Sequence, residues 1–224
     1  MKLFLTVAAC MLLAAGPVLS QVLRAGINLA NVSVTDNGNI ERANMLASFQ
    51  VGLTEDIKIV PGFFFQPGIY FTGKGTKSES GVQTDPTWFR ATSNPYYIEI
   101  PANFIFKTPG PIHFFAGAGP YLAIGIAGKN KSDGKFLGTS FHREEDIQFS
   151  NDDPSTLDYE EGAGFGIMKR FDYGLNAMAG FELAHTVLSV NYGLGLAKLQ
   201  SGSNSSEDQN NKHRVLSFTI GIKL

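Results

Sequence analysis

From Tyr96 to Lys107 the chain reads YYIEIPANFIFK. Ile98, Ile100, Ala102, Phe104 and Phe106 share one parity, and Tyr97, Glu99, Pro101, Asn103 and Ile105 share the other. A period of two marks a β-strand. The two faces are unequal. One is large and apolar; the other carries a carboxylate, a proline and an amide. A strand in a soluble core rarely holds a charge there unless it is paired.

The same inequality recurs along the chain. In FDYGLNAMAGFEL (171–183), Phe171, Tyr173, Leu175, Phe181 and Leu183 alternate with Asp172, Gly174, Asn176, Gly180 and Glu182. In LSVNYGLGL (188–196), Leu188, Val190, Tyr192 and Leu194 alternate with Ser189, Asn191, Gly193 and Gly195. Leu216, Phe218, Ile220 and Ile222 alternate with Ser217, Thr219, Gly221 and Lys223. Near the start, Arg24, Gly26 and Asn28 form a polar face. A soluble barrel hides its large apolar side chains and shows its charges. Here the large face must look outward, because an eight-strand ring has little room inside. Outward then means lipid. Hydrocarbon in turn demands a closed sheet, since a free edge leaves main-chain groups unpaired.

Eight strands are expected, at 22–34, 42–53, 57–73, 94–107, 111–128, 165–183, 186–198 and 212–224. Tight turns at Thr54–Asp56, Thr108–Gly110 and around His185 alternate with long polar connections at 35–41, 74–93, 129–164 and 199–211. The expected fold is an all-β, eight-stranded antiparallel up-and-down transmembrane β-barrel, with the long loops outside the cell. Pro61-Gly62 and Pro67-Gly68 interrupt the third strand, as bulges or as a break. Tyr70, Phe71, Trp88, Phe89, Tyr96, Tyr97, Tyr121, Phe171, Tyr173 and Tyr192 fall largely near strand ends, where a membrane interface favours such rings.

Residues 1–20, MKLFLTVAACMLLAAGPVLS, read as a secretory signal peptide with Ser20 at the cleavage edge. The apolar run is too short for a spanning helix. The lone cysteine, Cys10, leaves with the signal, apart from a weaker reading in which it is lipidated. Residues 21–224 then form one domain without disulfides. A formal net charge of -2 gives no sign of nucleic-acid binding.

Arg24, Glu99, Asp172, Glu182 and Lys223 all fall on expected inward faces, joined by Gln50, Asn103, Asn176 and Asn191. They read as an interior network that braces the fold, because paired and bonded charges are tolerable inside. Arg24 and Lys223 are the expected partners of Glu99. His113, His142, His185 and His213 are dispersed without ligand spacing, so no metal site is expected. No nucleophile elbow, Walker loop or dinucleotide fingerprint occurs, so neither catalytic residues nor cofactors are expected. Segment 129–164 is strongly acidic, with Asp133, Glu144, Glu145, Asp146, Asp152, Asp153, Asp158, Glu160 and Glu161 against Lys129, Lys131, Lys135 and Arg143. SGSNSSEDQNN (201–211) reads as a flexible tip, and EEGAGFGIM (160–168) as a strand extension above the membrane.

PGIYFTGKG (67–75), YYIEIPANFIFK (96–107), FFAGAGPYLAIGIAGK (114–129), KRFDYGLNAMAGFEL (169–183), NYGLGLAKL (191–199) and RVLSFTIGIKL (214–224) resemble, in order, the PorT-like outer-membrane β-barrel family of Bacteroidetes. The resemblance implies an eight-stranded, monomeric barrel in the outer membrane, and it transfers no catalytic residue. Such barrels commonly end in an aromatic residue, whereas this chain ends in Leu224. The expected role is structural, or the binding of an unknown protein or surface ligand through 74–93 and 129–164. The other partners expected are outer-membrane lipid and the barrel assembly machinery. A small pore or carrier is the alternative, and a soluble periplasmic lipid-binding barrel would need the apolar face turned inward.

Overall fold

The computed structural model describes residues 21–36, 39–42, 45–150, 167–199 and 212–224. The expected signal peptide, Asp152, Asp153, Asp158, Glu160, Glu161 and the tip at 201–211 lie outside these residues. The strands are β1 (Gln21–Asp36), β2 (Asn39–Arg42), β3 (Leu46–Glu55), β4 (Ile57–Val60), β5 (Phe63–Gly73), β6 (Thr76–Ser80) and β7 (Trp88–Lys107). They continue with β8 (His113–Phe136), β9 (Thr139–Asp146), β10 (Gln148–Phe149), β11 (Ile167–Met168), β12 (Phe171–Glu182), β13 (Thr186–Gly195) and β14 (Lys212–Lys223).

The expectation of an eight-stranded up-and-down barrel is overturned. The main sheet has twelve strands and is not a regular barrel. Its path runs β4-β5-β3-β1-β14-β13-β12-β8-β7-β6, with β2 on β1, β9 on β8, and a further pairing of β5 with β7. β10 and β11 form a separate parallel pair. The strand count departs from expectation for local reasons. β3 stops at Glu55, and β4 resumes after Asp56 along the same neighbour, β5. The turn expected at Thr54–Asp56 lies instead at Pro61-Gly62, where Gly62 adopts φ 82°. Proline followed by a glycine at positive φ is the chemistry of a tight turn. β5 likewise stops at Gly73, and β6 resumes at Thr76 along β7. Pro67-Gly68 stays inside β5.

The expected external loops are largely strand. β7 begins at Trp88, and β8 runs to Phe136 before turning into β9. The two-residue turn has Leu137 at φ 46° and Gly138 at φ 87°. Two positive φ angles suit the twist of a hairpin. β6, β7, β8 and β9 thus make a four-stranded external sheet.

The expected inequality of faces is present. The sheet curls around an enclosed polar face: Arg24 is 2% exposed and Asp172 0%, whereas Ile27 is 60% and Ile222 57% exposed. A register shift at Tyr96/Tyr97 pairs Tyr97 with Gly125 and Tyr96 with Ala127. The extra residue, Ile126, reverses parity on β8. Tyr121 and Ala123 therefore lie buried below the shift, while Lys129 and Lys131 lie exposed above it. Phe49, Phe71 and Tyr96 form an aromatic cluster on the outer face. Tyr97 and Tyr121 leave the expected set of interface rings, because both are buried.

Candidate functional site: an enclosed polar core and an external sheet

The enclosed face holds two charge clusters. Lys74, in the break between β5 and β6, centres the upper one. Its Nζ lies 2.7 Å from Glu99 Oε2 and 2.9 Å from Asp172 Oδ2. It also sits 4.1 Å from the centroid of the Tyr121 ring and 5.5 Å from that of Tyr97. Tyr121 Oη donates to Asp172 Oδ2 at 3.1 Å, and Asn176 Nδ2 donates to Glu99 Oε1 at 3.2 Å. His213 Nε2 lies 3.3 Å from Tyr97 Oη. The ammonium is thus surrounded by two carboxylates and two ring faces, the arrangement a desolvated cation needs.

Lys107 centres the lower cluster. It bonds Asp56 and Glu182, and Glu182 also takes Lys223. Gln66 Nε2 donates to Asp56 Oδ1 at 2.6 Å. The cluster therefore ties together the break between β3 and β4 and the ends of β7, β12 and β14. Arg24 belongs to neither group. Its Nε donates to Thr54 Oγ1 at 3.0 Å and its Nη1 to Ser189 Oγ at 3.2 Å.

Each of the five residues expected inside has a definite place. Glu99 and Asp172 share Lys74, Glu182 and Lys223 share the lower cluster, and Arg24 binds hydroxyls. The expected pairing of Glu99 with Arg24 or Lys223 is not found. Lys74, Lys107 and Asp56 were missed. Lys107 continues the parity of Glu99 and Asn103, so its signal was present in the sequence. Lys74 lies between two glycines in a break, where no parity can be read.

Between the clusters lies a cavity of about 40 Å³, lined by polar groups that include Gln50, Asn103, Asn176, Asn191 and Ser217. That volume accommodates water rather than a ligand. Below the lower cluster a larger recess of about 410 Å³ opens beside Phe64, Lys107, His113 and Glu182. Above the upper cluster the enclosed face turns apolar. Val32, Ile147, Met168 and Leu199 pack together with Phe149. The Phe149 ring meets Tyr97 edge-on at 5.9 Å and lies against Gly125, where any side chain would collide with it. Phe149 thus caps the upper cluster from the external side.

On the outer face of the external sheet, Glu144 bonds Lys129 and Lys131, Glu79 bonds Lys77 and Arg90, and His142 meets Asp133. The hydrogen bond from Lys129, followed by that from Lys131, holds the Glu144 carboxyl down at about 2. Such exposed pairs contribute little stability singly. Among the described residues, no three His, Cys, Asp or Glu side chains gather where they could hold a metal ion.

No curated protein matches the chain. Among solved structures, Ail, the attachment invasion locus protein of Yersinia pestis, is 12% identical with a TM-score of 0.39, covering 92% of this chain and 100% of its own. Neisserial surface protein A is 14% identical with a TM-score of 0.41, covering 91% of this chain and 97% of its own. The outer membrane protein OprG from Pseudomonas aeruginosa is 12% identical with a TM-score of 0.39, covering 92% of this chain and 93% of its own. Residues 19–201 match the family model described as the outer membrane protein beta-barrel domain. That match spans most of the sequence: the chain belongs to this family, and its location is the outer membrane.

Proposed function

We propose that the protein is a sealed outer-membrane component whose strands cross the bilayer with their large apolar face to lipid. The enclosed network of Arg24, Glu99, Asp172, Glu182 and Lys223, completed by Lys74, Lys107 and Asp56, is a brace rather than a catalytic or transport site. The protein binds a protein partner or surface ligand through segments 74–93 and 129–164, which include the external sheet, and performs no catalytic chemistry. The PorT-like resemblance, carried by residues 96–107 and 114–129, is the finer family placement in this reading.

One observation carries most weight. The cavity between its two charge clusters has a volume of about 40 Å³. A pore or carrier needs a continuous wet path, and here buried cations and carboxylates fill the section while Phe149 caps it. The test is single-channel recording of the purified protein in a planar bilayer. No sustained conductance is expected at moderate voltage. A steady open level from the wild-type protein would establish the pore alternative instead.

A further inference from the structure

β9 ends the external sheet. It pairs β8 on one side, and among the described residues no strand pairs its other edge. All eight of its residues are exposed. Unpaired edges of this length are templates for another strand.

Register identifies which main-chain groups are free. Lys129 lies opposite Asp146, so Gly128 and Ile147 form the next rung. The Ile147 N–H donates to the Gly128 carbonyl at 2.9 Å, so that rung is a hydrogen-bonded pair. Bonded and non-bonded pairs alternate along an antiparallel ladder. Thr139, Phe141, Arg143 and Glu145 therefore direct their N–H and C=O groups to β8. Ser140, His142, Glu144 and Asp146 direct theirs to the open edge. The two-residue turn at Leu137-Gly138 gives the same parity, because it closes on the bonded pair Phe136–Thr139.

Side chains set the character of the edge. In TSFHREED one arginine stands against three carboxylates, so the edge strand is acidic. The lysines that answer Glu144 lie one strand in, on β8. Two copies of β9 would bring acidic rows together, which disfavours self-pairing. Glu144 and Asp146 share one face with His142, and Phe141, 44% exposed, lies on the other beside Arg143 and Glu145, which neutralise each other as an ion pair. The fitting occupant has basic residues on one face and apolar residues on the other.

We propose that β9 is a docking edge for an extended segment of a partner protein with alternating basic and apolar residues, added as a fifth strand. This rests on the reading that the external sheet is the binding region. The probe is the peptide acetyl-Lys-Val-Thr-Val-Lys-Val-Thr-Val-Lys-amide, added to the full protein in detergent micelles, with residue-resolved amide hydrogen exchange as the readout. Exchange should slow about tenfold or more at Ser140, His142, Glu144 and Asp146, and change little at Phe141, Arg143 and Glu145. His142→Pro with Glu144→Pro removes edge donors that β8 does not use, so the fold survives while binding falls at least tenfold. Glu144→Gln with Asp146→Asn should weaken binding of this basic peptide and leave the alternating protection pattern.

No protection at saturating peptide, or protection spread over both parities, overturns the proposal. So does undiminished binding to the double-proline variant. If that variant still binds but a chain trimmed of residues 132–143 does not, the external sheet binds by another surface. The edge proposal then fails while the broader reading stands. Sustained conductance would instead overturn the sealed-interior reading and leave the edge result intact.

Discussion

Lys74→Met is expected to destabilise the folded protein by about 3–5 kcal/mol, the usual effect of removing one partner from a buried ion pair. The reason is what remains behind. Glu99 and Asp172 both face Lys74 Nζ within 3 Å, and Asp172 is 0% exposed. Without the ammonium two carboxylates confront each other and two tyrosine ring faces in a poorly hydrated space. Asn176 and Tyr121 still donate to them, but neutral donors do not replace a cation. The measurement is the midpoint of urea unfolding in detergent or lipid, followed by the gel shift between folded and unfolded forms. The triple variant Lys74→Met, Glu99→Gln, Asp172→Asn removes the whole charge set and should recover most of the loss. If Lys74→Met unfolds with the wild type, the upper cluster is not a brace.

Glu182→Gln carries the second large effect. Glu182 accepts from both Lys107 and Lys223, so a neutral amide leaves two lysines facing one another with Asp56 alone to compensate. A loss of about 2–3 kcal/mol is expected, the scale of hydrogen bonds to charged groups. It is smaller than for Lys74 because Lys223 is only half-buried and Lys107 keeps Asp56. The two clusters lie at opposite ends of the enclosed face and share no residue. Their effects should therefore add in the double variant Lys74→Met, Glu182→Gln within about 0.5 kcal/mol. Strong non-additivity would mean that the interior acts as one network rather than two.

The elements differ in how far their sequence revealed them. β7, β12, β13 and β14 were legible because most outward residues are large and apolar while most inward ones are small or polar, with Tyr97, Ile105, Met178, Val187 and Val215 as inward exceptions. Parity alone placed Asp172 and Glu182 inside. It also places Lys107 inside, two residues beyond Ile105, at the expected end of the strand. Lys74 was not legible. It sits in TGKG, where the strand breaks, and only the fold shows its ammonium entering beside Asp172, 98 residues away in sequence.

The external sheet was hidden for a different reason. β9 is exposed at all eight positions, so no hydrophobic period marks it. Its polar composition reads as loop, and the cue that remained was the turn after Phe136. The strand count failed at Asp56 and Lys74, where β3 and β5 stop and β4 and β6 resume. Pro61-Gly62 was visible as an interruption, but only the positive φ of Gly62 makes it the turn.

A polar braced interior inside a lipid-facing coat is tested by a nitroxide scan of residues 102–107 on β7 in lipid vesicles. Collision with dissolved oxygen, which concentrates in hydrocarbon, is measured at each site by electron paramagnetic resonance. High oxygen accessibility is expected at 102, 104 and 106, and low accessibility at 103, 105 and 107. A flat profile, or maxima at 103, 105 and 107, would contradict it.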